Sequence, residues 1–124
     1  MRLDVLVMAE PGTALRYPDP FRLLVCGGRY YANRNVVFAA LDEIRQRFRG
    51  RGIVVIQGGA RGADALAAAW ARDRGVRCET YMADWDREGP AAGPRRNQRM
   101  LEGGRPELCL AFPGGNGTAD MVTR

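Results

Sequence analysis

Histidine, lysine and serine are absent from all 124 residues. Within a single chain, that excludes a Ser-His-Asp triad, a Schiff-base or P-loop lysine, and a histidine-ligated zinc site. Any reaction here must use carboxylates, arginine, tyrosine, threonine, cysteine or backbone groups. Long apolar runs are also missing. None approaches the length that spans a bilayer, and the first residues carry no signal-peptide pattern, so a cytoplasmic location with no membrane partner is expected. Cysteine is scarce. Cys26, Cys78 and Cys109 share no CxxC or metal-ligand spacing and read as core thiols in a reducing compartment. Asp84, Asp86, Glu88 and Gly89 match the opening of a calcium loop, but its twelfth position is Arg95 instead of a bidentate Glu. No metal or cofactor is expected.

Arginine supplies all 19 positive charges, against 14 acids, for a net charge of +5. Guanidinium forks match phosphate geometry, so an anionic ligand or a nucleic acid is a natural partner. A GC-rich genome would produce the same bias. The remaining composition, 46% hydrophobic and 27% charged, is that of a globular domain.

Residues 53–75, IVVIQGGARGADALAAAWARDRG, organise the reading. Ile53–Gln57 is an apolar, β-branched run suited to a strand covered on both faces. Gly58-Gly59-Ala60-Arg61-Gly62 then permits a tight turn, and Asp64 falls in the first turn of an Ala-rich helix, at the positive end of its dipole. Strand, glycine turn and helix start together suit a phosphate. The same glycines would also serve a plain strand-to-helix turn.

Around this unit the pattern repeats. Leu3–Met8 predicts an edge strand and Glu10–Phe21, with Pro11, Pro18 and Pro20, an irregular connector. Residues 1–21 are thus an N-terminal extension to a domain over 22–124. Arg22–Cys26 predicts a strand that runs into Gly27-Gly28-Arg29. Asn33 or Asn35 caps a helix whose Val37, Leu41, Ile44 and Phe48 form one apolar stripe, with Glu43 and Arg47 paired outside. After Gly62, Leu66, Ala69 and Trp70 are expected to face the sheet, with Gly75 as C-cap. Val76–Tyr81 predicts a third strand, Asp84–Gly93 a polar loop, and Pro94 the first position of a helix to Glu102. Glu107–Phe112 predicts a fourth strand, and Pro113–Thr118 a third glycine turn that opens a last helix.

Strands alternating with helices imply an α/β fold: a doubly wound, mainly parallel sheet of four to five strands with helices on both faces. In the order 3-2-1-4 the three glycine turns become neighbours at the switch point, where such sheets bind ligands. Gly115-Asn116-Gly117-Thr118-Ala119-Asp120 departs from a dinucleotide fingerprint at its last position. A mononucleotide phosphate on Gly114–Thr118, assisted by the Thr118 hydroxyl, fits better. Trp85, Tyr30 and Tyr31 lie near strand ends, where they would either stack on a base or anchor loops.

Five blocks, read together, resemble the SLOG superfamily, named for the Smf/DprA proteins and the LOG enzymes. The match is closest to its stand-alone YspA/cpYpsA-like branch. The blocks are VCGGR (25–29), QGGARGADALA (57–67), DW (84–85), AGPRRNQRM (92–100) and FPGGNGTADM (112–121). The resemblance implies a Rossmann-like fold binding a nucleotide or nucleotide-derived small molecule. It places Gly27, Gly28, Arg29, Gly58, Gly59, Arg61, Asp64, Arg96, Asn97, Gly114, Gly115, Gly117 and Thr118 at the ligand. LOG-type phosphoribohydrolases carry PGGxGTxxE, with the Glu acting at the ribose. Here that position is Met121, and Asp120 lies one residue earlier, turned about 100° around the helix and so expected to point elsewhere.

The expectation is therefore a binding module, a sensor or component of a nucleotide-linked system. A phosphoribohydrolase with Asp64 or Asp120 as catalytic carboxylate is one alternative, and DprA-like nucleic-acid binding is another. SLOG domains usually continue beyond the point matching Arg124, so a homodimer or larger partner covering the fourth strand or a helix beside it is also expected.

Overall fold

A computed structural model describes residues 19–124. The expectations for Leu3–Met8 and for most of the Glu10–Phe21 connector lie outside the described residues. Four strands, β1 (Phe21–Cys26), β2 (Ile53–Gln57), β3 (Arg77–Thr80) and β4 (Leu108–Ala111), form one sheet in the order β3-β2-β1-β4. All three pairings are parallel, with Phe21 opposite Ile53, Leu24 opposite Cys109 and Val54 opposite Arg77.

The sheet is wound on both faces, and alternation along the strands divides the core in two. Leu23 and Val25 of β1 and Ile53 and Val55 of β2 point to one side. There they pack on Val37 and Leu41 of α1 (Arg34–Arg47) and on Ala63, Ala67, Trp70 and Ala71 of α2 (Ala63–Arg74). Leu24, Cys26, Val54 and Ile56 point to the other side. They meet Met100 of α4 (Ala92–Gly104) and Met121 of α5 (Asn116–Val122). Both clusters bury large aliphatic side chains, each contributing about 1.5–3 kcal/mol. The result is a Rossmann-like doubly wound α/β sheet.

Local signals explain most boundaries. Asn33 caps α1, its Oδ1 accepting from the Val36 N–H at 3.2 Å. Ile44 and Phe48 complete the stripe at half burial, and Phe48 stacks on Phe21 with ring centroids 3.9 Å apart. Gly75 ends α2 in the left-handed conformation.

Four expectations are corrected. The face of α2 turned to the sheet is Ala63, Ala67, Trp70 and Ala71, while Leu66 and Ala69 sit at its margin, because alanines allow the helix close to the strands. The segment read as a polar loop holds a short helix, α3 (Trp85–Glu88), and a single 3-10 turn, Gly89–Ala91. α4 begins at Ala92, so Pro94 is its third residue; the first-turn N–H groups have no partner in the helix, and proline is tolerated there too. Of the three cysteines only Cys26 is buried, since β3 and β4 are edge strands that leave Cys78 half-covered and Cys109 exposed. Among the described residues no helix is long and apolar enough to cross a membrane.

Candidate ligand-binding site

Because all four strands run the same way, the three glycine turns lie side by side at their carboxyl ends. Backbone bonds lock them together. The Gly28 N–H donates to the Pro113 carbonyl at 2.8 Å, and the Ala63 N–H donates to the Gly28 carbonyl at 3.1 Å. Gly62 makes the second contact possible. Its φ is +73°, and a Cβ there would collide with the Gly28 carbonyl oxygen and lie 2.7 Å from the Arg29 Cα.

Between these turns and the α3–α4 segment is a cavity of about 760 Å³. Gly27, Gly28 and Arg29 line it from the first turn, and Asp64 from the second. Gly114, Gly115, Gly117 and Thr118 line it from the third, and Arg96 and Asn97 from α4. Gly58, Gly59 and Arg61 do not reach it. They line an adjoining cavity of about 260 Å³, which shares Arg29, Ala60, Trp85 and Arg96 with the larger one. Every sequence-predicted residue thus borders one of two adjoining spaces.

The second turn is built differently from the expectation. Its N–H groups are largely spent on the protein itself: Gly58 and Ala60 donate to Asp64 Oδ2 at 3.1 and 3.3 Å, and Gly59 donates to Gln57 Oε1 at 2.6 Å. Asp64, only 6% exposed, occupies the place where a phosphate on this turn would sit. Burial pushes its carboxyl above the usual aspartate range, opposed by the Ala60 and Gly58 amides and by Arg96. Positive charge at the crevice therefore comes chiefly from side chains.

Arg96 donates to the Gly58 carbonyl at 2.7 Å and to Asn97 Oδ1 at 2.9 Å. Burial pulls its guanidinium below its ordinary value, helped by the like charges of Arg99 and Arg29 and opposed by Asp64 and Asp120. Arg29 and Arg61 are exposed and make no hydrogen bond or ion pair among the described residues. Three guanidinium groups thus converge where one buried carboxylate is already committed.

Asp120 and Met121 correct the expectation drawn from the LOG pattern. Asp120 lines the larger cavity, where its Oδ2 accepts from Asn97 Nδ2 at 2.9 Å and from Arg124 Nε at 2.7 Å. Arg124 and then Asn97 hold its carboxyl below the usual range, so it is ionised at neutral pH. Met121, 4% exposed, is packed under the sheet with Leu24 and Ile56.

The walls are apolar. Tyr30 is 85% exposed and Trp85 50% exposed, and both border the larger cavity with Tyr31, Pro90 and Pro94. Cys26 and Met100 also line it, although sequence reasoning left them out of the site. The signals were there: Cys26 ends a strand next to a glycine turn, and Met100 lies four residues after Arg96 on one helix face. Among the described residues no group of three or more cysteine, aspartate or glutamate side chains is arranged to hold a metal ion. Asp84 instead caps α3, accepting from the Arg87 N–H at 3.1 Å, and Glu88 pairs with Arg95 at 3.2 Å.

The family model described as YspA, cpYpsA-related SLOG family matches residues 21–87, which span β1 to α3. The chain belongs to this SLOG family. Among curated proteins, the Gene 61 protein of Mycobacterium phage D29 is 43% identical over 98 residues, covering 74% of this chain and 76% of that protein. No solved structure matches. The SLOG match contains the first two glycine turns and Trp85, whereas Arg96, Asn97 and the third turn lie beyond it.

Proposed function

We propose that this SLOG domain binds a nucleotide or nucleotide-derived small molecule in the crevice at the carboxyl ends of the strands. One observation carries the reading: Arg29 and Arg61, without partners among the described residues, line with Arg96 a space of about 260 Å³ that adjoins a 760 Å³ cavity bordered by aromatic side chains. Exposed guanidinium groups without counter-charges suit an anion, and flat apolar walls suit a base. The volume is that of an ordinary small-molecule site.

A thermal-shift screen of nucleotides tests this. A ligand at 100 times its Kd stabilises the fold by about 2.7 kcal/mol, a readily measured rise in the unfolding midpoint. Arg29→Ala is expected to remove most of that rise. No response to any nucleotide at millimolar concentration would end the proposal.

A second reading, cleavage of the N-glycosidic bond of a nucleoside monophosphate, has a single observation in its favour. Asp120 is an ionised carboxylate on the cavity wall. Release of free base from AMP, lost in Asp120→Asn, would favour it over binding alone.

A further inference from the structure

The two adjoining cavities differ in charge as well as in size. The smaller is lined by Arg29, Arg61 and Arg96 and by no acidic side chain. The larger carries both carboxylates of the site, Asp64 and Asp120, and most of the flat apolar wall. A highly charged phosphate chain is repelled by the two carboxylates and attracted by the three arginines. Asp64 is already spent on the Gly58 and Ala60 amides, and Asp120, an acceptor only, suits the hydroxyl donors of a sugar or the N–H groups of a base. At about 260 Å³ the smaller cavity falls just below the usual range for a separate ligand site, and four of its lining residues also belong to the larger. It is an annex to the larger cavity.

Gly58 and Gly59 also line the annex, where Arg96 and Met82 occupy the space a Cβ would fill. Trp85 stands at the junction, bordering both spaces with half of its surface exposed. Arg29 and Arg96 also border both, so a chain of phosphates passing from one space to the other meets them before Arg61.

Building on the nucleotide reading above, we propose that the ligand carries at least two linked phosphates: a nucleoside diphosphate or an ester of one. Its nucleoside occupies the larger cavity against Tyr30 and Trp85. Its phosphate chain crosses between Arg29 and Arg96 and ends in the annex at Arg61. A nucleoside monophosphate fills only the first part of this path and leaves Arg61 unused.

The test compares matched pairs, AMP with ADP, GMP with GDP, CMP with CDP and UMP with UDP, by calorimetry on the full chain, with Trp85 fluorescence as a second readout. In at least one pair the diphosphate is expected to bind about tenfold or more tighter, the gain from one added charge-assisted contact. Arg61→Ala should cost that diphosphate at least about tenfold more than its monophosphate, whereas Tyr30→Ala should weaken both members alike. Arg61 and Tyr30 are both exposed, so both variants are expected to fold, and an unchanged melting midpoint checks this. Equal affinity within every pair, or equal losses on Arg61→Ala, would overturn the two-cavity assignment while leaving nucleotide binding intact. Failure of all eight nucleotides to bind would overturn both.

Discussion

Asp120 and Met121 are consecutive in α5 and face different surroundings. Asp120 puts its carboxylate on the cavity wall, 2.9 Å from the Asn97 amide, while Met121 is sealed beneath the sheet among Leu24, Cys26, Val54, Ile56 and Met100. The step of about 100° per residue was read from the sequence, but the phase of the helix was not. That phase is set by the apolar cluster, which takes the methionine and thereby turns the aspartate toward the crevice.

Met121→Glu would therefore install no ribose-facing carboxylate. It would bury a charge without a partner, a change expected to cost about 3–5 kcal/mol. Urea melts at pH 7 should show the loss. They should also show partial recovery as pH falls and the buried carboxyl takes up a proton, since a raised folded-state pKa favours the fold at low pH. Any release of base from AMP should remain below detection in this variant. A stable Met121→Glu protein that hydrolyses AMP faster than the wild type would contradict the placement of α5.

The architecture was legible because its signals are local and periodic. The apolar strand runs, the stripe Val37–Leu41–Ile44–Phe48 and the glycine punctuation together gave the strands, the major helices and the order β3-β2-β1-β4. What stayed hidden depends on contacts distant in sequence. That Cys109 is exposed follows from β4 being an edge strand, and that Asp64 fills the second glycine turn follows from its aim toward Gly58 and Ala60. The grouping of Arg29, Arg61 and Arg96 needs three elements folded together. Residue type marked these positions as candidates, and only the fold separates a donor free for a ligand from one already used.

Trp70 is fully buried, and its indole N–H donates to Asp42 Oδ1 at 2.9 Å, joining α2 to α1. Arg74 adds two contacts to the same carboxylate, at 2.9 and 2.8 Å. Asp42→Ala leaves the buried indole unpaired and should destabilise by about 1–3 kcal/mol, whereas Asp42→Asn keeps an acceptor and should cost less. Arg74, and then the Trp70 N–H, hold the Asp42 carboxyl below its ordinary value of 3.8. A depressed folded-state value gives stability that is complete above that ordinary value and lost as pH falls through the folded one. Stability measured from pH 6 to pH 2 should thus drop less steeply in Asp42→Asn than in the wild type. Parallel curves would show that the pair carries no linkage.

Two glycines of the central turn should respond in opposite ways to alanine. At Gly62 the backbone has φ of +73°, and the new Cβ meets the Gly28 carbonyl and lies 2.5 Å from the Arg29 carbonyl carbon, all main-chain atoms that cannot step aside. Strain of about 1–3 kcal/mol from the dihedral alone adds to that collision, so Gly62→Ala should unfold or strongly destabilise the domain. At Gly58 the backbone is not in the positive-φ region, and the new Cβ meets the Arg96 guanidinium, with its Cζ at 2.8 Å. That group is the far end of a flexible side chain. Gly58→Ala should keep the fold, displace Arg96 from the Gly58 carbonyl and weaken binding of phosphate-bearing ligands about tenfold, the scale of one charge-assisted contact. Melting midpoints and nucleotide titrations on the two variants give the comparison. If Gly58→Ala binds as tightly as the wild type, Arg96 has no part in holding the ligand, and if Gly62→Ala melts normally, the lock between the first and second turns is not what holds the crevice together.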